Sequence, residues 1–553
     1  MTKKTRTSRT AHRVRNFTLG GEQAEADPLL LEGFFESPAY LSVISKDDPR
    51  CFFVGRTGVG KSAVLRRLED EFGQHVIKIN PEDLSLPYIA DLDVIQKLAA
   101  SNVHLDPLFI ALWKHVLLIE VIKHRYNVDS AAAKQNFVQM IKEKIKRNRS
   151  KVAALEYLEE FEDKFWCETD ERVRDITRKF EQQINGEGKA TIGAPGAAGI
   201  SAGVSGTDTY SSEEHTEEVA RYQRIVNETQ LPRLNQMMGV LDEDILDSDQ
   251  HFTYIVIDDL DRDWVDEKVA NSLIRCLFRA VSDLKRVRNL KVIVALRTNI
   301  FEALEFGSKT GGQEEKFRSL TFSMDWTERE LEEMLSDRAI AASDKLELDG
   351  IGSVKDLLPA KNQTRGSALE YILRRTLMRP RDAIAYFNEA FRHSGGRLKL
   401  TWDVIHAAEL SYSKKRLLAL RDEWKPNFPG LDRVFGLFTS TNTSLDDRAF
   451  SSLLGDAALL VGDGSFVGGE WMEKLTVDVW NSDDGALWYK IYQPLVKLLF
   501  DIGFIGLVLP GRQHPAYSQE SPGLADLPRN IAEAEWFLVH PAFRSCLDIS
   551  PAR

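Results

Sequence analysis

Eight residues, Gly55-Arg56-Thr57-Gly58-Val59-Gly60-Lys61-Ser62, fit the pattern G-x-x-x-x-G-K-[ST] without a mismatch. Glycines at these places let backbone N–H groups wrap a phosphate with no Cβ in the way. Lys61 is then expected at the β- and γ-phosphates, and Ser62 at a Mg²⁺ ion. Gly55, Arg56, Thr57, Gly58, Val59, Gly60, Lys61 and Ser62, with Ala63 after them, form the candidate nucleotide-binding segment. ATP and Mg²⁺ are the expected ligands. The alternative is a glycine-rich turn with an incidental lysine. The flanks favour the first reading. Cys51-Phe52-Phe53-Val54 reads as a strand, and Ser62 to Leu68 reads as the start of an amphipathic helix.

A second run, Phe252-Thr253-Tyr254-Ile255-Val256-Ile257, is apolar throughout and ends in Asp258-Asp259-Leu260-Asp261-Arg262. Continuous apolar runs mark strands of a parallel sheet covered on both faces. Ligands bind beyond the carboxyl ends of such strands. Asp258 is placed to hold Mg²⁺, and Asp259 to polarise the attacking water as a general base. Asp261 is a third candidate for either task. Another strand, Leu290 to Leu296, ends in Arg297-Thr298-Asn299. Arg297 or Thr298 at its tip would sense a γ-phosphate, unless this is a basic strand end facing solvent.

These residues need a scaffold. The two motifs lie roughly 200 residues apart, far more than a plain ATPase core needs. His75-Val76-Ile77-Lys78-Ile79-Asn80 reads as the next strand, so much of ~95–245 is expected to be an insertion. From Trp113 to about Asn185 its composition and periodicity are helical. Residues 186–212 are Gly- and Ala-rich and read as a loosely ordered stretch. Glu22 to Phe35 reads as a short helix, and Leu320 to Met324 as the last core strand. Residues 326–398 read as a helical lid, in which Arg379-Pro380-Arg381-Asp382 opens a helix with proline in its first turn. Arg379 and Arg381 are candidates to face nucleotide phosphates; Arg381 pairing with a lid carboxylate is the structural alternative. In 399–553 the helical run Leu495 to Phe500, the strand Gly503 to Leu509, a polar hairpin and a return strand at Glu535 to Pro541 outline a winged helix.

Composition limits the partners. The chain has 553 residues, 43% hydrophobic and 28% charged, as in ordinary globular proteins. No apolar run approaches the ~20 residues that a membrane span needs. Four dispersed cysteines suit reduced thiols in a cytoplasm. The net charge of −12 argues against a surface that coats nucleic acid. Residues 1–16 are a basic tail with Lys3, Lys4, Arg6, Arg9, Arg13 and Arg15 and no acid, either a phosphate-contacting arm or a solvated end.

Taken together, Gly55–Ser62, Ile257-Asp258-Asp259-Leu260-Asp261 and Arg379-Pro380-Arg381-Asp382 resemble bacterial P-loop ATPases related to the KAP and STAND groups. Phe17-Thr18-Leu19-Gly20, Ala24-Glu25 and Asp422-Glu423-Trp424 are similar to a branch of the same P-loop class. The resemblance implies an α/β fold: an AAA+-like P-loop NTPase core over 17–325, a helical lid and a C-terminal winged-helix-like domain. It implies a Mg-dependent ATPase acting as a regulatory switch, in a homo-oligomer with an effector or sensor partner, in a setting such as anti-phage defence. In an AAA+-like ring, Arg318 would face the neighbour's nucleotide as a catalytic arginine, with Lys316 as its substitute. The large insertion departs from a minimal core. The competing function is a DNA-associated ATPase, an initiator or loader using the winged helix. ATP is preferred over GTP because no guanine-reading N-K-x-D follows the core strands.

Overall fold

The computed structural model describes residues 15–80, 93–100, 103–126, 231–260, 267–304, 314–361, 366–483, 485–512 and 514–550, with a few isolated helical positions between 136 and 220. The Gly/Ala stretch 186–212, Asp261 and most of the helices expected beyond residue 126 lie outside the described residues. The chain divides into two units. One comprises residues 38–56 and 64–324, the other 1–37, 57–63 and 325–553.

The first unit is built on a parallel five-stranded sheet. Its strands are β1 (Phe52–Val54), β2 (Val76–Ile79), β3 (Thr253–Ile257), β4 (Leu290–Leu296) and β5 (Thr321–Ser323), in the order β2-β3-β4-β1-β5. All five were expected from the sequence, within one to two residues at most ends. β3 and β4 are buried at every position, which is why they read as apolar runs, interrupted only by Thr253 and Lys291. Register runs Phe52↔Val294 and Val54↔Leu296 between β1 and β4, and Ile257↔Val294 between β3 and β4. β4 therefore separates the strand that enters the phosphate loop from the acidic strand. Because all strands are parallel, Val54, Ile257 and Leu296 end at the same edge.

Helix α1 (Lys61–Phe72) starts at the motif lysine. Helix α2 (Asp106–Tyr126) is buried along most of its length, so it is apolar nearly all round rather than amphipathic. It packs on α3 (Glu267–Leu284), where Trp113 Nε1 donates to the Leu273 carbonyl at 2.9 Å. Phe278 of α3 stacks on Phe52 of β1. One polar residue sits inside β4: Lys291 is 4% exposed, and its ammonium donates to the Ser42 and Ser45 carbonyls at 2.6 Å each.

In the second unit, α4 (Glu328–Lys345) opens with a capping box between Thr327 and Glu330. Helix α5 (Pro380–His393) has proline in its first turn, as the sequence suggested. Helix α6 (Trp402–Trp424) runs through two cores. Ile405, Ala408 and Tyr412 join the one made by α4 and α5. Leu420 joins the one formed mainly by residues from Leu431 to Leu547. That second core carries α7 (Gln493–Asp501) and the antiparallel pair β6 (Ile505–Val508) and β7 (Trp536–Val539). The expected polar hairpin is instead a segment of more than 25 residues. It contains a bridge from Ala516 back to Leu507 and a short helix, Pro528–Ala532. None of the described helices is long and apolar enough to cross a membrane.

The helix expected at Glu22 to Phe35 does not form. Only a 3₁₀ turn, Ala24–Ala26, is present. Asp27 Oδ1 accepts from the backbone N–H groups of Gly21 and Leu29, a local alternative to helical hydrogen bonding, and Pro28 lacks an N–H of its own.

Candidate functional site

The loop after β1 is shaped by two glycines that no side chain could replace without strain. Gly58 has φ +83° and Gly60 φ +105°, while Val59 between them keeps the ordinary negative φ. Alternation of this kind turns successive N–H groups towards one concave side, the arrangement that holds anions. A Cβ at Gly58 would also lie 2.9 Å from Arg381 Cβ.

The back of this loop is pinned by the rest of its unit. Arg379 Nη1 donates to the Thr57 carbonyl at 2.8 Å. The Arg381 backbone N–H donates to the Gly58 carbonyl at 3.3 Å. Trp326 Nε1 donates to the Val59 carbonyl at 2.8 Å. Three consecutive carbonyls are thus satisfied from outside the loop, fixing its peptide planes before any ligand arrives. Thr57 Oγ1 is buried without a hydrogen-bond partner, a polar atom left over for a ligand to satisfy. On these grounds the loop fits a polyphosphate.

Arg379 and Arg381 are both at this loop, with a different task from the expected one. The Arg379 guanidinium is buried. It binds Asp382 Oδ2 at 3.0 Å, Glu423 Oε2 at 3.0 Å and the Thr57 carbonyl, so the structure gives it to the loop's backbone and two carboxylates. Arg381 Nε donates to the Glu22 carbonyl at 3.1 Å, not to a lid carboxylate. Arg416 completes the network, reaching Asp382 Oδ1 at 2.9 Å and Glu22 Oε2 at 3.0 Å. The N-terminal strap is tied in the same way. Asn388 bonds Leu19 N–H and the Gly20 carbonyl, and Arg338 bonds the Leu19 carbonyl and Asp27.

Asp382 is the hub. Burial alone would raise its pKa, but the Arg379 and Arg416 charges outweigh burial and hold its carboxyl well below the ordinary range. A carboxylate whose folded pKa is depressed stabilises the fold fully above its unfolded value near 4, and this contribution is lost as pH falls through the folded value. Asp382→Asn leaves two buried guanidiniums short of a charge and is expected to cost about 3–5 kcal/mol at pH 7. Chemical denaturation at pH 7 and at pH 3 checks this: the gap between variant and wild type should narrow at the lower pH.

In the sheet unit, Asp258 and Asp259 follow β3 at its carboxyl end, both half-buried. Asp259 has φ +57°, the left-handed region, and its N–H donates to Asp258 Oδ1 at 2.9 Å. Aspartate is among the few non-glycine residues that adopt this conformation readily, and Glu347, Met378, Ser440 and Asp548 share it. Arg297 is the N-cap residue of the helix Thr298–Ala303, which puts it at the tip of β4, half-buried. Arg318 is exposed on the short helix Glu314–Ser319, one position after the buried Phe317. Trp326, Arg416 and Glu22 join the site without having been singled out for it, because Trp326 meets Val59 and Arg416 meets Glu22 across 267 and 394 positions and no periodicity marks them. Asp382 enters the sequence reading only as part of the run that opens α5.

The comparisons with known proteins bear on parts of this chain. The family described as FunZ-associated C-terminal helical domain matches residues 329–421, the stretch from α4 almost to the end of α6. The transposon gamma-delta 80.3 kDa protein of Escherichia coli (strain K12) is 22% identical over 446 residues, covering 77% of this chain and 54% of that protein. This chain therefore spans about half the length of that relative. Among solved structures, a Walker-type ATPase of Pyrococcus abyssi aligns over 93% of this chain and 96% of its own, at 10% identity and a TM-score of 0.35.

Proposed function

We propose that the chain is a Mg-dependent P-loop ATPase whose nucleotide state acts as a regulatory switch. The observation that carries this reading is the phosphate loop: glycines at positive φ, three carbonyls pinned from behind, and a lysine and serine in register at the start of α1. Lys61 would hold the β- and γ-phosphates. Ser62 and Asp258 would hold Mg²⁺, which supplies positive charge across those phosphates when bound. Asp259 takes the proton of the attacking water, and Arg297 senses the terminal phosphate. The regulatory part, a homo-oligomer with an effector or sensor partner in anti-phage defence, rests on the resemblance to KAP- and STAND-type ATPases and on α6. That helix joins the core beside the loop to the C-terminal core, which we read as a winged-helix-like interaction module.

The test is binding. Lys61→Ala removes a charge-assisted contact to the phosphates and is expected to weaken fluorescent ATP binding by roughly 100-fold. Wild-type affinity in that variant would overturn the phosphate-loop assignment. DNA-stimulated turnover with steep salt dependence would favour the DNA-associated ATPase instead.

A further inference from the structure

The phosphate loop already carries an anion of the protein's own. Glu423 Oε1 accepts from the Thr57 backbone N–H at 3.3 Å, and Glu423 Oε2 pairs with Arg379 at 3.0 Å. Arg379 in turn donates to the Thr57 carbonyl. The two side chains thereby grip the peptide groups on both sides of Thr57. Both are close to fully buried, at 7% and 11% side-chain exposure.

Glu423 is the last residue but one of α6, at the carboxyl end of a helix. The helix dipole disfavours a carboxylate there. The last turn is where cations belong, so local preference does not explain this residue. Its partners do: an arginine and a loop N–H of the kind that serves a phosphate oxygen.

We infer that Glu423 is a built-in competitor for the nucleotide, occupying the Thr57 N–H when the loop is empty and giving it up to a phosphate oxygen when ATP binds. This rests on the ATPase reading above. Two consequences follow from charge and from connectivity. A carboxylate beside the loop repels a triphosphate more than a diphosphate, so Glu423 lowers affinity for ATP more than for ADP. Its release also frees the end of α6, whose Leu420 is packed in the C-terminal core. Nucleotide occupancy is thus passed to that core through one side chain, a two-state contact biased by differential binding.

Glu423→Gln removes the negative charge and keeps one acceptor oxygen, which can serve the Thr57 N–H while the bond to Arg379 is given up. Titration of the full-length protein with fluorescent ATP and ADP is expected to show about tenfold tighter ATP binding in the variant and a smaller gain for ADP. Hydrogen exchange on the wild type, which needs no variant to fold, should show faster exchange at residues 417–428 once ATP is added. Equal or weaker ATP binding by Glu423→Gln, or unchanged exchange at 417–428 in ATP-saturated wild type, would overturn the competitor role. Failure of the wild type and Glu423→Gln alike to bind any nucleotide would instead overturn the ATPase reading, and this proposal with it.

Discussion

Asp259→Asn is expected to bind ATP as the wild type does and to hydrolyse it roughly 10²–10⁴-fold more slowly, the usual range for losing a general base. The backbone makes asparagine the informative replacement. Asp259 sits at φ +57°, a region that asparagine tolerates and that most other side chains do not. Its N–H bond to Asp258 Oδ1 is made by the main chain and survives the change. The replacement keeps shape and backbone and removes the charge, and unchanged ATP affinity together with an unchanged unfolding midpoint shows that a loss of turnover reports chemistry and not folding. Asp258→Asn should behave differently, losing Mg²⁺-dependent turnover because the metal loses a ligand. Phosphate release at saturating Mg-ATP, set beside a fluorescent-nucleotide titration, separates the two. Wild-type turnover by Asp259→Asn would transfer the base to Asp261 or to another group.

The parts of this architecture that were legible in the sequence are those governed by local rules. β3 and β4 are covered on both faces, so burial wrote Thr253 to Ile257 and Leu290 to Leu296 as apolar runs. The loop could be read because Gly58 and Gly60 meet a steric need that only glycine meets cheaply. What could not be read depends on distance. Thr57 and Glu423 are 366 positions apart, and Arg379 was read as facing phosphates because two of the groups that claim it, Glu423 and the Thr57 carbonyl, lie 44 and 322 positions away. Composition also misled where side chains compete with the helix. Glu22 to Phe35 has helical residues, yet Asp27 draws the backbone of Gly21 and Leu29 to itself. The order β2-β3-β4-β1-β5 was beyond reach as well, because strand patterning fixes which faces are buried and not which strands are neighbours.

Arg318→Ala is expected to lower turnover by about 10³–10⁵-fold with ATP affinity preserved, the effect of withdrawing an arginine from the transferring phosphoryl group. We propose that it acts on the nucleotide of another subunit. The helix Glu314–Ser319 lies between β4 and β5. Its Phe317 is anchored in the core against Phe278, with ring centroids 5.8 Å apart. That anchor fixes the helix's rotation, and Arg318, one residue further round, is left exposed. Lys316 is exposed on the same short helix and is the residue to change next. If the charge is supplied in trans, the protein must be an oligomer, and two inactive variants must rescue each other. Arg318→Ala subunits keep an intact phosphate loop; Lys61→Ala subunits keep an intact arginine. Mixed assemblies, verified by size and by differential tags, should regain part of the wild-type phosphate release at junctions where the two intact halves meet. Full activity of Arg318→Ala alone, or no rescue in verified mixed oligomers, would show that Arg318 is a surface residue with no part in the reaction of its neighbour.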